Sequence, residues 1–220
     1  MPPCALRLTL VALACAACGT SSSPDAGGDE AMSYFGQPFA AAVKSFLPGP
    51  GAGHGAEGFP EVVLGPPAGR GKQAGSVDDV LSLGLGGEIV LELGVDAIDG
   101  VGPDLIVFEN PFVFAGDRVF SEPGQVAFSL DGETFIDHPC EPDSAPPNGC
   151  AGFTPVLPTD DPTDPSLVGG DVFDLAAVGL SRVRFVRVRD AGATLVGEDG
   201  AAGFDLDAVA VIHQNERGVP

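Results

Sequence analysis

Tryptophan is absent from this 220-residue chain, tyrosine occurs once, at Tyr34, and 10 lysines and arginines face 31 aspartates and glutamates. The shortage of cations excludes recognition of nucleic acid or an anionic membrane through the protein's field, because a formal net charge of −21 repels phosphate and attracts cations. Catalytic signatures are missing as well. There is no G-x-S-x-G elbow, and Gly53-His54-Gly55-Ala56-Glu57-Gly58 matches G-x-G-x-x-G only by chance, since Phe59-Pro60 follows where a helix should begin. Gly71-Lys72 lacks both the first glycine and the Ser/Thr of a phosphate-binding loop, with Pro66 and Gln73 in those places. His54, His138 and His213 stand alone, without the spacing of metal ligands. Carboxylate pairs of the kind a glycosidase uses are too abundant here to single any out.

What is present is apolar material in short pieces. Residues of the hydrophobic class make up 44% of the chain, which argues against disorder despite the acidity. With 32 glycines and 21 prolines between the apolar runs, long helices are excluded and a turn-rich, all-β single domain is expected over residues 34–214, with a tail at 215–220. Strands are expected near 43–47, 61–64, 80–83, 88–93, 105–109, 125–130, 134–137, 182–189 and 204–213. Asp131-Gly132 reads as a two-residue hairpin turn between VAFSL and ETFI, and Asp174–Leu180 as one helical turn capped by Asp174 and stopped by Gly179.

The N-terminus carries an address. Arg7, the apolar run Leu8–Ala17 and the small pair Ala16-Ala17 make residues 1–17 an export signal, too short for a permanent membrane span. Cys18 follows directly, and then the polar tether 18–33. This arrangement resembles the lipobox of bacterial lipoproteins, which implies lipidation of Cys18 as the new N-terminus. Gly19 behind it implies the outer membrane of a Gram-negative cell. Cys15 departs from the usual Leu three positions before the lipidated cysteine, and an ordinary secretory signal is the other reading.

Cysteine arithmetic agrees with export. Cys4 and Cys15 leave with the signal, and Cys140 and Cys150 remain as a pair bracketing EPDSAPPNG. A disulfide there pins the first half of a long, proline-rich loop running to Asp171, whose second half includes the acidic stretch TDDPTDP. Arg182, Arg184, Arg187 and Arg189 crowd one expected strand. They read as a charged edge strand paired with acidic loops, with a bulge at Phe185-Val186, or as a row gripping a carboxylate ligand.

The acids point to a hard cation. DAIDGVGPD gathers Asp96, Asp99 and Asp104 around glycines; Glu109 ends the strand that Asp104 begins; Asp205 and Asp207, two apart, are expected on one strand face. Asp99, Asp104, Glu109, Asp205 and Asp207 are therefore the expected ligands of a structural Ca²⁺, with Asp78 and Asp79 as further donors. The arginine strand is the alternative counter-charge.

LSLGLGGEIVLELG, QVAFSLDGETF, RVRFVRVRD and GFDLDAVAV occur in the strand order of galactose-binding-like jelly rolls, and the chain resembles that discoidin and carbohydrate-binding-module group over roughly residues 80–213. The resemblance implies a β-sandwich jelly roll and a calcium-ligating acid on the last strand, at Asp207. GPDLIVFENPF with GFDLDAVAV also resembles myxobacterial-type cell-surface lipoproteins. The expected function is a non-enzymatic, lipid-anchored surface module for adhesion or envelope binding, with a surface protein or glycan as partner. A carbohydrate-binding module of a polysaccharide-processing system is the alternative, disfavoured by the lack of Trp and Tyr for stacking sugars. A hydrolase with unidentified acids is a weaker one.

Overall fold

Twelve strands, all paired antiparallel, build two facing sheets and a small hairpin among the residues that the computed structural model describes: 33–72, 79–114, 118–144, 148–192 and 203–215. Cys18, the signal, the tether and Asp78 lie outside the described residues. The strands are β1 (Ala40–Leu47), β2 (Leu81–Ser82), β3 (Glu88–Ile98), β4 (Leu105–Glu109), β5 (Phe112–Phe114) and β6 (Arg118–Phe120). They continue as β7 (Gly124–Ser129), β8 (Ile136–Asp137), β9 (Asp171–Phe173), β10 (Arg182–Asp190), β11 (Asp205–Val211) and β12 (Gln214–Asn215). One sheet runs β1-β3-β10-β7-β8 with β12 also on β3; the other runs β2-β11-β4-β9; β5 and β6 pair with each other.

Alternation decides what fills the space between the sheets. Ile89, Leu91, Val126, Phe128, Val186 and Val188 from the first sheet meet Leu105, Val107, Leu206, Val209 and Val211 from the second in one buried cluster. The fold is thus an all-β sandwich, and each fully buried large apolar side chain contributes about 1.5–3 kcal/mol through area removed from water. β4 does not alternate in polarity, because its outer face is covered too. Ile106 and Phe108 pack with Ala208, Ala210, Phe39, Val156 and Val168, so the second half of the long loop lies over the sheet as a lid of its own. There Asp160 and Asp161 are exposed, while Asp164 caps the short helix α1 (Pro165–Val168).

The disulfide between Cys140 and Cys150 closes the first half of that loop. Asp171 holds the stretch after it, accepting hydrogen bonds from the N–H groups of Gly152 (2.7 Å) and Phe153 (2.8 Å) and from the Thr154 hydroxyl (2.7 Å).

Several expectations need correction. Glu61–Val63 is a 3₁₀ turn rather than a strand, entered from Pro60, with Val63 driven into the core. Asp131-Gly132 is not a two-residue hairpin: Phe128 pairs with Ile136, leaving a longer connection. The Asp131 carboxylate takes the N–H groups of Glu133 (2.8 Å) and Thr134 (2.9 Å) that a tight hairpin would have given to the ladder, although Gly132 does hold φ +72°. β10 is no edge strand, since β3 and β7 flank it. A register shift between Val183 and Phe185 lets Val183, Val186 and Val188 all face the core, which throws the four arginines onto the opposite face together. Short strands β5, β6, β9 and β12 and the extension of β3 to Ile98 are additions to the expected set.

Candidate functional site

The expected calcium ligands do not converge; the structure distributes them over three places. Asp104 directly precedes the five-residue strand β4 and Glu109 is its last residue, so the two stand at opposite ends of the sandwich. Asp205 joins Glu109 at one end, and Asp99 joins Asp104 at the other. Asp207 belongs to neither group. A register shift in β11 between Leu206 and Ala208 makes it a bulge residue, and its carboxylate goes to the N–H groups of Ala68 and Gly69 rather than to the Glu109 group.

At the Asp104 end the carboxylate is fully buried and fully used. It accepts from Gly100 N (2.7 Å), Leu175 N (2.8 Å) and His213 Nδ1 (2.9 Å), tying together the β3–β4 turn, the 3₁₀ turn Leu175–Val178 and the end of β11. Asp99 and Asp174 bring carboxylate oxygens within 4.8 Å of it, but Asp99 is exposed and Asp174 caps the 3₁₀ turn through Ala176 N. This knot has its donors already.

Asp207 is likewise provided for. Ala68 N (2.9 Å) and Gly69 N (3.1 Å) donate to it, fastening the segment before residue 70 to β11. Burial nevertheless pushes its carboxyl up to about 7, with the two N–H groups opposing the rise. It borders an open cleft of about 350 Å³ shared with Glu61 and Asp79.

The third place is different in kind. Glu109 at the end of β4, Glu122 between β6 and β7, and Asp205 at the start of β11 offer carboxylate oxygens that all lie within 4.8 Å of one another. Glu109 is 2% exposed and Glu122 8%. Each is set by its element. Glu109 pairs in register with Leu206, and Asp205 pairs with Ser82, whose hydroxyl hydrogen-bonds the Asp205 carboxylate. Glu122 Oε1 accepts from Gly203 N (3.0 Å), and Gly152 allows the close approach behind it. Gly152 has φ +101°, and a Cβ there would stand 2.3 Å from the Glu122 carbonyl oxygen.

These hydrogen bonds leave the cluster short of donors. Glu109 Oε2 and Asp205 Oδ1 are buried without a hydrogen-bond partner. Among the described residues no ion pair involves any of the three; the exposed His54 ring opposes the rise of Asp205, behind burial and the Ser82 hydrogen bond in order of influence. Their titration reflects the strain. Burial first, and then the charges of Asp205 and Glu122, push Glu109 well above the ordinary carboxylate range. Burial and Asp205 lift Glu122 to about 7, and burial raises Asp205. Three carboxylates in this setting either share protons or hold a cation between them.

Of this group the sequence yields Glu109 and Asp205 but not Glu122. Glu122 sits in Ser121-Glu122-Pro123-Gly124, which reads as a turn, and no spacing links it to the other two.

Three of the four arginines of β10 are matched with acids. Arg184 Nε donates to Asp96 (3.0 Å) with Arg182 alongside, and Arg187 bridges Asp137 (2.7 Å) and Glu88 (3.6 Å) while stacking on Phe135. That is the counter-charge arrangement rather than an open carboxylate grip, and it neutralises acids other than the Glu109 group.

No protein-family model matches the chain, and no relative is found among curated proteins.

Proposed function

We propose that the chain is an exported, lipid-anchored and non-enzymatic binding module, held at the cell envelope by Cys18 and built on a β-sandwich that carries a structural Ca²⁺. The observation that carries this reading is the leader itself: an export signal that ends at a cysteine and is followed by a polar tether directly before the domain. The Cys140–Cys150 disulfide supports it independently, since such bonds persist in oxidising compartments outside the cytosol. The unsatisfied carboxylates support the calcium. In this reading the sandwich is of the galactose-binding-like jelly-roll type, and the long loop over its outer face presents the binding surface to a surface protein or glycan. Adhesion fits better than sugar capture, because Tyr34 is the sole residue of the Trp and Tyr types that stack on sugar rings.

Metabolic labelling with an alkyne fatty acid in a bacterial host tests the anchor. The wild-type chain takes up label and fractionates with the outer membrane, and Cys18→Ala loses the label. Equal labelling of both chains, or a wild-type chain released unlabelled, contradicts it.

A further inference from the structure

We infer that Glu109, Glu122 and Asp205 are the ligands of the bound Ca²⁺, and that the ion braces the base of the disulfide loop. The inference deepens the calcium reading above and rests on it for the choice of ion.

The geometry argues first from what is missing. Two buried oxygens, Glu109 Oε2 and Asp205 Oδ1, have no donor, and both belong to residues of the same close cluster. Leaving a buried acceptor unsatisfied costs about 1–3 kcal/mol, more for a charged group, so two within one cluster mark a place where a ligand belongs. The Asp99, Asp104 and Asp174 group shows no such deficit: Asp104 has three protein donors.

The donor set then selects the ion. All three ligands are carboxylates, which suit hard cations better than zinc, whose structural sites are built from Cys and His. Oxygens up to 4.8 Å apart fit across a sphere whose metal–oxygen distance is about 2.3–2.6 Å, the calcium range. Magnesium binds at about 2.0–2.1 Å and keeps several waters, which a buried cluster with Glu109 2% exposed accommodates poorly.

The three ligands come from three separate segments, and that gives the ion its role. Glu122 is two residues from Gly124, whose N–H and carbonyl exchange hydrogen bonds with Ala151 at 3.0 and 2.9 Å. Ala151 follows Cys150 of the disulfide. Gly203, donating to Glu122, leads into β11. An ion in the cluster therefore clamps the end of β4, the start of β11 and the strip on which the disulfide loop is seated.

Isothermal calorimetry of the full chain with CaCl₂ tests this, alongside amide exchange at Gly124 and Ala151. One Ca²⁺ should bind per chain, with affinity reduced at least tenfold by Glu122→Gln and by Glu109→Gln and unchanged by Asp99→Asn. Calcium should slow exchange at Gly124 and Ala151 in the wild type alone. In EDTA, Glu109→Gln should melt no lower than wild type, because its amide can donate to the neighbouring carboxylates where the wild type must share a proton. Should that variant fail to fold, Glu122→Gln carries the test by itself. Binding that survives Glu122→Gln but is lost in Asp99→Asn or Asp207→Asn overturns this site and leaves the calcium reading standing. Absence of any Ca²⁺ binding by the wild type overturns both.

Discussion

Asp131 and Asp104 both hold backbone N–H groups, and burial makes them behave differently. Asp131 is exposed, and its hydrogen bonds from Thr134, Glu133 and Ser129 lower its carboxyl from 3.8 to about 2. A folded-state value below the unfolded one adds stability that is present above about pH 4 and lost as pH falls toward 2. Asp131→Asn should therefore melt below wild type at pH 6, and the gap should close between pH 4 and 2; a gap independent of pH contradicts this. Asp104 is fully buried and receives three donors from three segments. Asp104→Ala strands all of them and should cost about 3 kcal/mol or more in urea unfolding, with the calcium response preserved. A loss below about 1 kcal/mol would show the knot to be incidental.

Among the elements, the long loop between β8 and β9 depends most on links other than strand pairing. Its first half is closed by the disulfide, and its second half is pinned through Val156, Val168 and the Asp171 carboxylate. Cys140→Ser with Cys150→Ser should lower stability by about 2–3 kcal/mol in the chain-entropy view. Exchange should rise at Gly124 and Ala151, while β4 and β11 stay protected; a uniform rise over the whole sandwich would contradict a local role. This loop also marks the limit of legibility. β4, β7, β10 and β11 were readable because β-branched and large apolar runs there end at turn residues. Glu61–Leu64 reads as a strand from the sequence because a three-residue apolar run, Val62–Leu64, carries no periodicity that separates a strand from a 3₁₀ turn. β9 is three residues directly after Gly169-Gly170, where the proline-rich loop ends, and is too short to give a pattern. The site was half legible for a related reason. Glu109 and Asp205 end or begin recognisable strands, whereas Glu122 is brought to them by tertiary contact alone. The bulge in β10 was legible in the arginine spacing, which breaks period two at Phe185-Val186, whereas the bulge in β11 at Asp207 breaks no such pattern and could not be counted out in advance.

At the scale of the whole molecule, a net charge of −21 works against compaction, and the arginine face of β10 offsets only part of it. The Glu109, Glu122 and Asp205 cluster concentrates that repulsion in a buried place, where the proposed Ca²⁺ would turn it into a strut. An exported chain, as proposed, would meet calcium outside the cytosol, so the proposed address and the proposed ion belong to one account. Thermal unfolding of the full chain in EDTA and in millimolar Ca²⁺ tests the central claim most directly. With calcium at 100 times its dissociation constant, mass action adds about 2.7 kcal/mol, a rise of about 5–10 °C in Tm for a domain of this size. The account predicts that rise for wild type and its loss in Glu122→Gln. An unchanged Tm, or an equal rise in the variant, would contradict it.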